Sequence, residues 1–542
     1  MAASSKAGSA FAVLAALVLV TGAPLAASGV PLFHAADRCI ACHTGLVTPA
    51  GEDVSIGSDH RASMMANAAR DPYWQAAVRR ETLDHPEAAA AIEHECAACH
   101  MPMARFEAKA AGALGEVFAH LPIGQGATRS DLLAADGVSC TLCHQIGSAG
   151  LGPRESFTAG FEIDASIPLG GSTERKVFGP FEVDPGRRAL MGSASEFLPE
   201  EGRHVQSSEL CATCHTLSTH ALGPGGEAIG ELPEQVPYLE WRHSSYAAER
   251  SCQSCHMPVV PEKVAVSSVL GVEREEVSRH VFRGGNAFML RLLNRYRDEL
   301  GVTALPQELE TAAGRTQEHL ETATARLAIE GLRVEDGRLE AEVVVTNLAG
   351  HKLPSAYPSR RAWLHVAVRD AAGRTVFESG AMAPDGSIRG NDNDSDPGRY
   401  EPHHRVVTDP DQVQIYEPIL AGPDGEVTTG LLTAVRYAKD NRLLPRGFDK
   451  GTAPADVAVY GAAFEDPDFT GGSDRVRYRV AVPAGAGPFT VEAALRYQTI
   501  GFRWARNLAP VGAPETDRFV RYYDSMAETS AVTLARASAA SR

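Results

Sequence analysis

The pattern of apolar and polar positions changes character along the 542-residue chain. It opens with an eleven-residue apolar run, Ala10–Val20, preceded by one charge at Lys6 and broken by Thr21-Gly22-Ala23-Pro24. Small residues follow near Ala26–Ser28, so residues 1–28 are predicted to be a secretory signal. The run is too short to cross a bilayer, and no later stretch approaches the roughly 18 apolar residues that a spanning helix needs. The mature chain is therefore expected to be soluble and exported, to the periplasm of a Gram-negative cell or its surface. Far downstream, residues 286–300 and Pro306–Ala323 carry the period of amphipathic helices. Alternation then takes over. Leu339–Asn347 follows the Asp336-Gly337 turn, Ala362–Val368 and Thr375–Glu378 flank Gly373, and Arg475–Val482 and Phe489–Tyr497 repeat the pattern. Strands separated by Gly/Pro/Asp-rich loops predict an antiparallel β-sandwich-like unit. Residues 515–527 read as a closing helix, and the Ala/Ser tail 531–542 as frayed.

Composition adds an acidic balance, with 68 acidic against 51 basic side chains and a formal charge of −17. A nucleic-acid partner is disfavoured, because phosphate binding needs a basic face. Hydrophobic residues at 44% exclude a largely disordered chain, but aromatics at 6% are sparse for several cores.

The ten cysteines explain that poverty. All fall in five C-x-x-C-H segments: Cys39–His43, Cys96–His100, Cys140–His144, Cys211–His215 and Cys252–His256. This is the attachment signature of c-type haem. Two thiols (Cys39/Cys42, Cys96/Cys99, Cys140/Cys143, Cys211/Cys214, Cys252/Cys255) add across the two vinyl groups of one porphyrin, and the adjacent histidine ligates iron. Zinc sites use C-x-x-C pairs but do not require a histidine after all five. A disulfide framework would show varied spacings. Five closely spaced porphyrins would supply much of the core that aromatic residues do not.

An iron that only carries electrons needs a second axial ligand, and histidine on both faces holds its potential low. The expected distal ligands are His60, His85, His204, His280 and His351. His60 lies in a helix-like stretch, His85 precedes Pro86, and His204 stands shortly before Cys211. His280 heads a segment with Gly284-Gly285, where backbone can approach a flat cofactor, and His351 sits in the turn Gly350-His351-Lys352-Leu353-Pro354. His94, His120, His220 and His243 are reserves, and Met64 or Met65 could stand in for His60. His319, His365, His403 and His404 read as ordinary strand or loop histidines. The acidic loop Asp392-Asn393-Asp394-Ser395-Asp396-Pro397-Gly398 offers oxygen ligands for calcium, but its glycine is one place late for an EF-hand and His403 replaces the closing glutamate. A solvated acidic turn is the favoured reading of it. No nucleophile elbow, phosphate loop or dinucleotide fingerprint occurs.

Several segments resemble multihaem c-type cytochromes of the cytochrome c-554-like and hydroxylamine oxidoreductase-like superfamily. They are Met64-Met65 with Asp71-Pro72-Tyr73-Trp74, Cys99-His100-Met101-Pro102-Met103, Asp136-Gly137-Val138-Ser139-Cys140, and Glu240-Trp241 before Cys255-His256-Met257-Pro258. Gly350–Pro354 with Pro358-Ser359-Arg360-Arg361 is similar to the β-domain that accompanies some of them. The resemblance implies an α+β multidomain protein: a mostly helical, loop-rich pentahaem domain over 29–300, then the β-sandwich-like domain with flanking helices over 301–530. It implies redox work in respiration but no particular substrate. The lysine that commonly replaces histidine at the catalytic haem of pentahaem nitrite reductases has no counterpart here, and the motif count excludes an eight-haem enzyme.

The leading expectation is an electron carrier with five haems c. The alternatives are an oxidoreductase acting on a small nitrogen or sulfur compound at an open haem, and a subunit of a larger extracellular conduit. Loss of Lys6 with the signal, and the propionates of the haems, would make the mature protein more acidic still. Its partners are accordingly expected to be periplasmic redox proteins with cationic docking faces.

Overall fold

Positions i, i+3 and i+4 share one face of a helix, so a helical C-x-x-C-H segment turns both thiols and the imidazole the same way. The computed structural model, which describes residues 31–164 and 175–541, has a helical turn at all five motifs. The turns are Asp37–Ile40, Ala89–His100, Cys140–Cys143, Ser208–Ala212 and Cys252–His256. Where the helix stops inside the motif, its last bond persists. The histidine N–H of His43, His144 and His215 reaches the carbonyl of Cys39, Cys140 and Cys211 at 3.1, 3.1 and 2.9 Å. The predicted signal, residues 1–28, lies outside the described residues. Among those described, no helix is long and apolar enough to cross a membrane.

Short helices and turns dominate up to residue 300, with a hairpin of Leu217–Leu222 and Ala228–Gln235 directly after the fourth motif. The helix Pro72–Asp84 begins with proline at its first turn, and the Asp71 carboxylate accepts the N–H groups of Tyr73 and Trp74 at 2.9 and 3.3 Å. Against it packs the carboxy-terminal helix Pro514–Met526, with the rings of Tyr73 and Phe519 5.0 Å apart and Arg79 2.9 Å from Glu515. The helices Ala287–Arg295 and Pro306–Ala323 join the same core through Phe288, Leu292, Leu309 and Ala313. That core therefore crosses residue 300. Between the two helices the chain turns at Gly301 with φ +63°, where a Cβ would lie 2.5 Å from the Ile123 carbonyl. Only glycine fits there.

Beside a small three-stranded sheet of Val427–Thr428, Pro418–Ala421 and Arg436–Asp440, two larger sheets form the core of the β-part. One runs in the order Thr375–Ser379, Arg361–Arg369, Thr490–Gln498, Ala531–Ala540, with Ile415–Tyr416 also pairing with Arg361–Arg369. The other runs Val406–Val407, Ser473–Ala481, Arg338–Asn347, Ala325–Glu335, and all its pairs but the first are antiparallel. Val343, Val345, Tyr478 and Val480 of the second sheet share one buried core with Leu364, Val366, Val491 and Leu495 of the first. The chain is thus a mixed α+β protein.

Two long strands differ from expectation. Ala325–Glu335 is a strand where the sequence pattern predicts none. Its alternation is diluted because only Ala325 along it is fully buried. The tail is not frayed: Ala531–Ala540 pairs along the whole of Thr490–Gln498. Alanine and serine hide the period, but Val532 and Leu534 point into the core, and Ser541 exchanges hydrogen bonds with the Phe489 backbone at 2.7 and 2.8 Å.

Leu534 is 1% exposed. Leu534→Ala should therefore destabilise the β-part by about 2–5 kcal/mol in chemical denaturation followed by far-ultraviolet circular dichroism. A chain truncated after Ser530 that is as stable as the full protein would contradict this placement.

Candidate haem sites

All ten cysteines and all five motif histidines line one connected cavity of about 1990 Å³. Ordinary small-molecule pockets hold about 300–1,000 Å³, so this space suits several large groups rather than one. Its walls are mainly apolar, with Ile92, Val138, Leu142, Phe157, Phe178 and Leu210 among them. Thiols, imidazoles and an apolar wall are the donor set and surroundings that covalent haem requires.

Four of the five motif histidines are oriented for metal binding. Nδ1 of His43, His100, His144 and His256 lies 2.5, 3.0, 2.6 and 2.5 Å from the carbonyls of Val266, Ala68, Phe178 and Arg283. A carbonyl can only accept, so Nδ1 carries the proton and Nε2 keeps its lone pair. This is the second-shell arrangement that fixes a ligand's tautomer and raises its basicity. Burial also pushes His100 and His256 down to about 4, which keeps both neutral near pH 7. His215 makes no such carbonyl bond among the described residues.

Two expected distal ligands stand opposite motif histidines. Imidazoles bound to opposite faces of one metal, at about 2 Å per bond, have ring centres about 6 Å apart. His351 lies 6.2 Å from His256 with the rings 12° from parallel, and His280 lies 6.3 Å from His144 at 22°. In both, Nδ1 donates to a nearby carbonyl, Lys352 at 2.8 Å and Ser278 at 3.2 Å, which leaves Nε2 free.

The other three are placed differently. His60 donates Nε2–H to the Val138 carbonyl at 3.0 Å, and its Nδ1 is buried without a partner on the cavity wall. His85 has a buried, unpartnered Nε2, but it does not line the cavity. His204 also stands outside the lining, with Nε2 bonded to the Ile146 carbonyl at 2.9 Å. No motif histidine forms a ring pair with these three among the described residues. Of the reserves, His94 accepts the Gly115 N–H at 2.8 Å, His120 pairs with Asp131 at 2.7 Å, and His243 packs against Phe448. His220, Met64 and Met65 line the cavity.

His319 is the residue the sequence undervalued. It lines the cavity 6.4 Å from His256, with the ring planes 67° apart. Nothing local marks it, because it occupies an ordinary position of the helix Pro306–Ala323.

Thiol contacts show which motifs are neighbours. Cys39 meets Cys140, Cys99 meets Cys214, and Cys211 meets Cys252. Cys143 also lies close enough to Cys214 to feel its charge. The spatial order is first, third, fourth motif, with the second and fifth both beside the fourth.

The acidic loop does not gather its oxygens at one point. Asp394 binds Arg361 at 2.8 Å and the Ile388 N–H at 2.7 Å, Asp392 binds Arg399 at 2.5 Å, and Asp396 accepts the Gly398 N–H at 2.9 Å. With its carboxylates shared among arginines and backbone, the calcium expectation has no ligand set here. A different cluster, His403, Asp466 and Asp474, is fully buried. The side-chain amides of Gln414 and Asn441 both donate to His403 Nδ1, at 2.8 and 3.1 Å. The ring proton is therefore on Nε2, 3.1 Å from Asp466, and the cluster is a hydrogen-bonded core rather than a metal site.

His280→Ala is expected to turn one low-spin haem high-spin in the electron paramagnetic resonance spectrum of the oxidised protein. His365→Ala, in a strand outside the cavity, should leave the spectrum unchanged. Identical spectra for His280→Ala and the unsubstituted protein would remove His280 as a ligand.

No family model matches the chain, and no curated protein matches it. Among solved structures it is similar to a penta-heme cytochrome c552 from Thermochromatium tepidum, with TM-score 0.51 and 15% identity. The similarity covers 94% of this chain and 99% of that one. At this identity the likeness is one of fold, and the fold is that of a multihaem cytochrome c.

Proposed function

We propose that the chain is a periplasmic multihaem c-type cytochrome that relays electrons through five covalently bound haems in a respiratory chain. The carrying observation is that all ten motif cysteines and all five motif histidines line one continuous cavity, with thiols of the first and third, second and fourth, and fourth and fifth motifs brought together. Bound there, haem supplies reversible one-electron exchange at iron. The protein's part is to hold and to orient. Each cysteine pair fixes a porphyrin edge, and each motif histidine offers Nε2. The carbonyls of Val266, Ala68, Phe178 and Arg283 keep four of the five imidazoles in that tautomer. The motif contacts favour a branched relay, with the fourth motif as its junction. Membership of the c-554-like and hydroxylamine oxidoreductase-like superfamily is part of the proposal, as is a pentahaem region over 29–300 followed by a β-part that shares a core with it.

One observation favours a second reading, an oxidoreductase acting at the fourth haem. Among the described residues His215 lacks an opposed imidazole, as do His43 and His100, but it also lacks the carbonyl bond that orients the other four, and its charged neighbour is Arg360, whose Nε is buried without a partner. Asp71 and Glu234 line the same cavity, and burial pushes them up to about 6 and about 7. Such groups can deliver protons near neutral pH, as the reduction of a small nitrogen or sulfur compound requires.

Carbon monoxide separates the two. The carrier reading predicts that the optical spectrum of the reduced protein is unchanged by the gas. A carbon monoxide adduct at one haem would replace it with the enzymatic reading. The acidic surface gives a further expectation: reduction by a cationic donor should slow as salt rises from about 0.01 to about 0.15 M, where the screening length falls from about 30 to about 8 Å. A stopped-flow rate independent of salt would contradict electrostatic docking.

A further inference from the structure

Four charged side chains are buried where the helix Pro237–Arg242, just ahead of the fifth motif, meets the β-part. Glu240 and Lys352 are 0% exposed, Asp440 1% and Arg442 3%. Lys352 Nζ donates to Asp440 at 2.6 Å and to the Ala458 carbonyl at 3.0 Å. Arg442 donates twice to Asp440, at 2.9 and 2.8 Å, and stands 2.9 Å from Glu240 as an ion pair without hydrogen-bond geometry. Two acids and two bases thus close a neutral set with no access to water.

Stability alone is a poor account of such a set. Taking charges out of water is expensive, and replacing buried pairs by apolar residues of similar volume is often neutral or stabilising. What directional ionic contacts give is a single geometry, and here that geometry belongs to the turn carrying His351. The other oxygen of Glu240 accepts the Lys352 N–H at 3.1 Å and the Ser355 hydroxyl at 2.5 Å. It therefore grips the chain one residue and four residues after His351. From the other side, Asn347 donates its amide to the His351 carbonyl at 2.9 Å and to the Leu443 carbonyl at 3.0 Å. Tyr246, between Glu240 and the fifth motif, donates its hydroxyl to the Leu348 carbonyl at 2.9 Å. The turn is held at both ends by groups from the segment that leads into Cys252–His256.

We propose that Glu240 is a positioning residue: through Lys352 and Ser355 it locks the His351 turn so that the imidazole stays opposed to His256. The inference rests on the reading of His351 as the distal ligand of the fifth haem. An axial bond of about 2 Å tolerates little displacement, so a loosened turn releases the ligand. Glu240 keeps the turn anchored to the helix before the fifth motif, so ligand and motif move as one body.

The test compares the holoprotein with Glu240→Gln, Ser355→Ala and His351→Ala. The readouts are the high-spin signal in electron paramagnetic resonance and the number of haems that bind carbon monoxide when reduced. His351→Ala should open one haem completely, and no change there would defeat the ligand reading itself. If His351→Ala opens a haem, Glu240→Gln should open the same haem in part, and added imidazole should restore its low-spin spectrum. Should Glu240→Gln fail to fold, Ser355→Ala removes one Glu240 contact without unpairing a charge and should raise carbon monoxide binding at that haem several-fold. Low-spin spectra and unaltered carbon monoxide binding in every folded Glu240 and Ser355 variant, beside an opened haem in His351→Ala, would overturn the lock and leave the ligand assignment standing.

Discussion

Two imidazoles set about 6 Å apart, each with its Nε2 lone pair free, form a demanding arrangement, and much of the molecule follows from it. A histidine offers Nε2 reliably only if something else accepts a hydrogen bond from Nδ1–H and so keeps the proton there. In four motifs that partner is a backbone carbonyl far away in sequence: Val266 for His43, Ala68 for His100, Phe178 for His144 and Arg283 for His256. The irregular segments around Val266 and Arg283, and the short strand Arg175–Gly179 that holds Phe178, thereby acquire a purpose. They bring one oxygen each to a ring that a helix alone could not orient.

The same requirement ties the β-part to the helical part. His351 belongs to the turn after the strand Arg338–Asn347, yet its ring stands 6.2 Å from His256. A sheet supplies rigidity that short helices lack, and Leu353 pairs with Leu443 to pin the far side of the turn. The buried quartet of Glu240, Lys352, Asp440 and Arg442 closes the join. On this account the β-part is more than a cover for the cavity. It carries the His351 ring that faces His256 and the contacts that aim it.

What the sequence made legible follows the range of the interactions. The haem-attachment motif is local, so the five sites were legible from spacing alone, and the structure adds that Cys140–Cys143 is a helical turn. Strands with one clean buried face, such as Arg338–Asn347, were equally plain, and Pro306–Ala323 matches its predicted limits. The tail escaped because alanine and serine carry no hydrophobic period, although Val532 and Leu534 are buried. Ligand choice escaped for a different reason. His351 and His319 both approach His256, and only the tertiary fold separates a ring 12° from parallel from one at 67°. The adjacency of Cys39 with Cys140, skipping the second motif, likewise has no trace in the spacing.

The central claim is that each of the five motifs holds its own haem by covalent bonds. Mass spectrometry of the intact, denatured protein tests it most directly, because only covalently attached haem survives denaturation. The account predicts a single mass equal to the polypeptide plus five haems, with no free thiol left for alkylation. A mass short of five haems, with cysteines still open to alkylation in the protein matured in its native host, would contradict it.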